Sequence, residues 1–314
     1  MIFDDVYGNS QIKKQLFNLI NSENIPHAFL FYGDDGIGKK QIAKGFACLM
    51  MGLDEIREHP DIYIYPTQSN KKSLGIEDIR VIIEETNKKP YLSSKKIIII
   101  DEFQKATEAA QNAFLKTLEE PNKNITIILI VENNKKILDT IKSRCQIFKF
   151  KPLNNKELIL FLKREFKHID EIKIKSSITF SQGIPKRAKM FLEDGFLNTL
   201  REDAFKILNF KVLSFDEILK MDKILEKNKS TWEDLFTFIL IYIRDVLFLK
   251  DNINFNLLMN KDKIDEIYEL SSKYDYSDLF NLFQNINKAI QMLRSNVNSM
   301  LVLEQFLIFK KEVV

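Results

Sequence analysis

The spacing of apolar positions changes character once along this chain, close to residue 151. Before that point, short apolar runs alternate with stretches in which apolar residues recur every three or four positions. Stretches at residues 27–32, 97–100 and 125–131 are almost wholly apolar, as expected of strands buried on both faces of a parallel sheet. Asp61-Ile-Tyr-Ile-Tyr65 alternates, and residues 146–150 supply a fifth strand. Between them lie helical patterns. Ser10 stands where it can cap a helix carrying Ile12, Leu16, Leu19 and Ile20, and further helices are expected at 39–50 and 76–87, the latter with Ile79, Ile82 and Ile83 on one face. Thr107 can cap another, which carries Ala110, Ala113, Phe114, Thr117 and Leu118 inward and stops at Pro121. Strands alternating with helices call for a parallel α/β sheet covered on both faces.

After Lys151-Pro-Leu-Asn154 no convincing strand pair remains, and helices dominate. Asn154 and Glu157 form a capping box for a helix running to Lys167. A short helical region follows to Asp194, interrupted at Gly183-Ile-Pro185. The last third is helical, most plainly at Trp232–Lys250 and at residues 276–310. The stripe Leu235, Phe238, Ile239, Tyr242, Val246 and Leu249 has the spacing of a helix's core face.

A chain of 314 residues is too long for one ordinary core, so two or three domains are expected. The net charge of +3 is too small to point to nucleic acid by itself. With no basic-then-apolar start, no apolar run of bilayer length and two distant cysteines, Cys48 and Cys145, the expectation is a reduced, cytoplasmic protein without a membrane partner.

Two stretches carry chemistry. In Lys96-Ile-Ile-Ile-Ile-Asp-Glu102 a buried strand ends in Asp101 and Glu102, where parallel sheets keep their ligand crevice and where paired carboxylates suit the Mg²⁺ of a bound nucleotide. Upstream, Gly33-Asp-Asp-Gly-Ile-Gly-Lys39, with Gly36 and Gly38 inside it, fits the phosphate loop G-x-x-x-x-G-K-[S/T] at every position but the last. Its glycines let backbone amides turn toward phosphate oxygens, and Lys39 would reach the outer phosphates. The last position is Lys40, which removes the hydroxyl that would hold Mg²⁺ and adds a cation instead. A glycine turn without a ligand, and a core strand ending in a solvated acidic turn, are the competing readings.

These stretches also carry a resemblance. Residues 98–107 look like a Walker B strand and the segment after it, and Ala109-Ala-Gln-Asn-Ala-Phe-Leu-Lys-Thr-Leu-Glu-Glu-Pro121 closely resembles the helix of bacterial clamp-loader AAA+ subunits. Ser143-Arg144-Cys145 matches that family's Ser-Arg-Cys triplet, and residues 3–9, 27–33 and 296–304 fit as well. The resemblance implies a three-part subunit: an AAA+ domain over 1–151, a helical lid over 152–195 and a helical collar over 196–314 that carries assembly. It implies gamma/tau and delta subunits, a sliding clamp and primed DNA as partners. It also implies that Arg144 reaches across a subunit boundary to the ATP of a neighbour, the competing reading being a surface arginine paired with a local carboxylate, with Glu102 the Walker B acid, Asn133 or Glu132 at the first sensor, and Lys186 and Arg187 in the second sensor region. Two departures set the chain apart from an ATP-burning motor of that family, the alternative reading: Lys40 in the loop, and no cysteine in residues 50–59, where such subunits often carry a zinc module. ATP with Mg²⁺ stays open as a ligand; zinc is not expected. A stand-alone DNA-binding module is disfavoured by the weak charge and the lack of an aromatic–basic repeat.

Overall fold

The computed structural model describes all residues except 1, 4–5, 22–24, 67–72, 168, 170, 194, 210–222, 225–226, 229–230, 296, 298–300, 303–304 and 307–314. Asp4 and Asp5, Asp194, much of 296–304 and the end of the helix expected at 276–310 therefore lie outside the described residues. The chain divides into two compact units: residues 1–167 with 181–187, and residues 168–180 with 188–314.

The first unit is a five-stranded, all-parallel sheet of β1 (Ala28–Tyr32), β2 (Ile62–Tyr65), β3 (Lys96–Ile100), β4 (Ile125–Val131) and β5 (Gln146–Lys149), in the order β2-β3-β4-β1-β5. The isoleucine run shows why the strands do not alternate. Ile97 and Ile99 enter one core with Phe29, Phe31 and Phe46, while Ile98 and Ile100 enter the opposite core with Leu30, Phe103 and Phe114. Both faces are apolar because helices cover both. On the first lie α1 (Ser10–Ile20) and α2 (Lys39–Met50), on the second α3 (Ile76–Asn87) and α4 (Glu108–Glu119).

One cap differs from expectation. Ser10 is the first residue of α1, and the cap position is Asn9, at φ 50°. Asparagine tolerates that left-handed conformation. Its amide donates to Lys151 O (3.2 Å) and its Oδ1 accepts from Lys151 N (2.9 Å), tying the helix start to the chain beyond β5. Thr107 and Asn154 cap as expected: Thr107 Oγ1 accepts from Ala110 N, and Asn154 and Glu157 form a reciprocal pair.

Two buried ions brace the sheet's far edge. Lys96, 1% exposed, donates to Glu85 Oε1 at 2.8 Å and lies over the Tyr63 ring. Asp61 accepts from the backbone amides of Tyr91, Leu92 and Ser93 and so fixes the turn before β3.

The second unit is helical. Leu235, Phe238, Ile239, Tyr242 and Val246 on the Trp232–Lys250 helix are buried in its core, with Leu249 packed against it. Phe238 stacks on Phe180 at 4.4 Å between ring centroids and also meets Phe191.

Candidate nucleotide site and a partly exposed arginine

The carboxyl ends of β1, β3 and β4 bring Gly33, Asp101 and Glu132 to one rim of the sheet. Gly33, Gly36 and Gly38 all take positive φ (153°, 77° and 102°), so the loop has the glycine-dependent form that the sequence indicates. It opens onto α2, whose first two residues are Lys39 and Lys40. Cations at a helix start oppose the helix dipole and favour an anion there.

Each cation of the loop has an internal partner. Lys39 is buried, and its Nζ donates to Gly33 O (2.6 Å) and Asp34 O (2.7 Å). Burial holds this ammonium below the ordinary lysine range, against the pull of Asp35, Glu132, Asp101 and Asp34. Lys40 Nζ lies 2.9 Å from Asp101 Oδ2, and Asp101 Oδ1 accepts from the Glu102 amide at 2.9 Å. Both oxygens of the strand-end carboxylate thus have a partner, one of them an ammonium. A Mg²⁺ ion at Asp101 would have to compete with Lys40 for the same oxygen. Glu102, at φ 53°, is paired with Lys105 at 2.8 Å.

Lys186 completes the rim. Its Nζ is 2.7 Å from Asp35 Oδ2, and its backbone amide donates to Gly36 O at 3.3 Å. Burial works against the charged form of Asp35, yet Lys186 and Lys39 outweigh it and keep this carboxyl below its usual range. Glu132 is shifted the other way, by partial loss of hydration and by the charge of Asp35. Of the two first-sensor candidates, Glu132 therefore feels the loop, whereas the Asn133 side chain accepts from Lys135 N and caps the next turn. Arg187 is half-buried beside Lys186.

Arg144 follows α5 (Asp139–Lys142), near the start of β5. Its Nη1 donates to Thr140 O (2.6 Å) and Ser143 Oγ (3.3 Å), and its Nη2 donates to Glu119 Oε1 at 2.5 Å. In the chain by itself, then, Arg144 makes a partly exposed ion pair with a local carboxylate. Sequence reasoning missed Glu119 as that partner. The available signal was the pair of acids, Glu119 and Glu120, closing α4 at the end where the dipole disfavours them. Burial pushes the neighbouring Cys145 thiol up to about 12, which suits a packing residue and not a nucleophile.

Among the described residues no group of three or more His, Cys, Asp or Glu is placed to hold a metal ion, and no helix is long and apolar enough to cross a membrane.

Comparison with known proteins gives a consistent family. The DNA polymerase III, delta subunit family matches residues 8–154, and its C-terminal counterpart matches residues 197–310. Subunit delta' of DNA polymerase III from Bacillus subtilis is 28% identical, with 96% of each chain covered. The tau subunit of the same organism is also 28% identical, over 93% of this chain and 58% of its own length. Among solved structures, a gamma-subunit-related DNA polymerase III protein from Thermotoga maritima superposes with a TM-score of 0.52 at 17% identity, covering 96% of this chain and 98% of the other, a likeness of fold.

Proposed function

We propose that this chain, which belongs to the DNA polymerase III delta-prime family of clamp-loader subunits, supports ATP-driven clamp loading without itself hydrolysing ATP. The observation that carries this reading is the 2.9 Å contact of Lys40 with Asp101. Phosphoryl transfer needs a metal to bridge and neutralise the phosphates, and here the half-exposed Lys40 ammonium is paired with the carboxylate that would hold that metal. A nucleotide phosphate can still be cradled by the loop and Lys39, but the two strand-end acids, Asp101 and Glu102, are each paired with a lysine.

Arg144 is the chain's contribution to catalysis elsewhere. Its triplet, its partial exposure and the planar fork of a guanidinium suit a donor to the terminal phosphate of ATP held by a neighbouring gamma/tau subunit. The working partners are gamma/tau and delta subunits, a sliding clamp and primed DNA. The division of labour is an AAA+ domain over 1–151, a lid over 152–195 and an assembly collar over 196–314.

The test is ATP hydrolysis by the purified chain alone and within the reconstituted loader. The isolated chain is expected to turn over negligibly, and Lys40→Thr is expected to raise its affinity for Mg-nucleotide by restoring the hydroxyl and freeing Asp101. Turnover at the level of a working AAA+ motor, abolished by Lys39→Ala, would favour the motor reading instead.

A further inference from the structure

We infer that Glu119 is a positioning residue for Arg144, holding its guanidinium while the neighbouring site lacks a terminal phosphate and releasing it when that phosphate arrives. The inference rests on the reading of Arg144 as a donor in trans. Three observations lead to it.

The first is the way the guanidinium is held. One amino group is anchored to the backbone at Thr140 O, while the other meets Glu119 Oε1 at 2.5 Å. A carboxylate oxygen and a phosphate oxygen are the same kind of acceptor for that amino group, so an arriving phosphate competes with Glu119 for it. The Thr140 contact serves as a pivot common to both states. The second is exposure: the side chains of Arg144 and Glu119 are 32% and 47% exposed. An ion pair this open is held only severalfold over its separated state, weak enough to yield to a more highly charged phosphate. The third is placement. Glu119 closes α4 with Glu120 beside it, at the end of the helix where a carboxylate costs stability. Lys116 in the last turn and Arg144 both offset that cost, Arg144 only while it is docked, so the acid favours the held state of the arginine.

Removing the charge at Glu119 should therefore leave the arginine free to engage earlier. In the reconstituted loader, Glu119→Gln is expected to lower the ATP concentration for half-maximal hydrolysis by about two- to fivefold, with little change in the maximal rate. Glu119→Asp, which keeps the charge, should return most of the wild-type dependence. In an Arg144→Ala background, Glu119→Gln should have no further effect. Half-saturation unchanged in Glu119→Gln, or shifted equally with Arg144→Ala present, overturns the inference while leaving Arg144 as donor. If Arg144→Ala alone leaves the ATPase of the loader at its wild-type level, the donor reading fails and this inference falls with it. Assembly and melting temperature of each variant, measured alongside, separate a lost fold from a lost competitor.

Discussion

Asp61 is the residue whose chemistry bears most directly on stability. Burial alone would raise its carboxyl, but the amides of Tyr91, Leu92 and Ser93, helped by His59, outweigh burial and hold it below the ordinary carboxylate range. The ionised form is thus favoured in the folded state. Its contribution is complete above the unfolded value, about pH 4, and is lost as pH falls through the lower folded value. Melting followed by circular dichroism should show this as a fall in stability below about pH 4, and Asp61→Asn should flatten that fall. Sequence gave the site residues as types but not their partners. Gly33, Gly38 and Lys39 were legible because a motif fixes their spacing, and Asp101 because it ends an unbroken isoleucine run. The pairing of Lys40 with Asp101, of Lys186 with Asp35 and of Arg144 with Glu119 joins residues 61, 151 and 25 positions apart, which no local pattern encodes.

The strands and most helix boundaries follow from period and caps, as the two-core split of Ile97–Ile100 and the Thr107 and Asn154 caps illustrate. The start of α1 did not follow, because the chain's path there is set by Asn9 reaching across to Lys151. The phosphate loop shows how an element can be fixed from outside. A Cβ on Gly36 would lie 2.2 Å from Lys186 Cβ, and the residue sits at φ 77°. Gly36→Ala must therefore strain the loop and push the segment at Lys186 away. The expected cost is about 1–3 kcal/mol, read by urea unfolding, with loss of whatever nucleotide affinity the isolated chain has. A variant as stable as wild type would mean that the helix start at 185–187 moves off the loop at little cost.

For the whole molecule, the apolar stripe of Trp232–Lys250 was legible as core, but its aromatic partners were not: Phe180 and Phe191, within the segment expected as a lid, share a core with Phe238. Function at this scale belongs to the assembled loader. Arg144→Ala should leave the fold and assembly intact, since a partly exposed arginine adds little to a core, yet lower ATP hydrolysis and clamp loading. A guanidinium donated in trans is worth about three to five orders of magnitude at its own site. The loss over the whole complex should be smaller, because other sites keep theirs. Arg144→Lys should rescue poorly, as a point charge cannot reproduce the planar fork. The measurement is clamp-dependent ATPase at equal assembly, and wild-type rates in Arg144→Ala would return the residue to a surface ion pair.

Helix α4 has one consequence that reaches beyond either of its ends. It begins just after the turn that holds Glu102 and Lys105 and finishes at Glu119, so its 12 residues act as a ruler of about 18 Å between the strand-end acids and the arginine. Rulers of this kind tolerate changes of letter and not of length. Inserting one residue would swing Glu119 around the helix axis by about 100° and leave Arg144 facing the wrong side. Relatives that keep the device should vary freely on the outer face of this helix while holding its residue count constant.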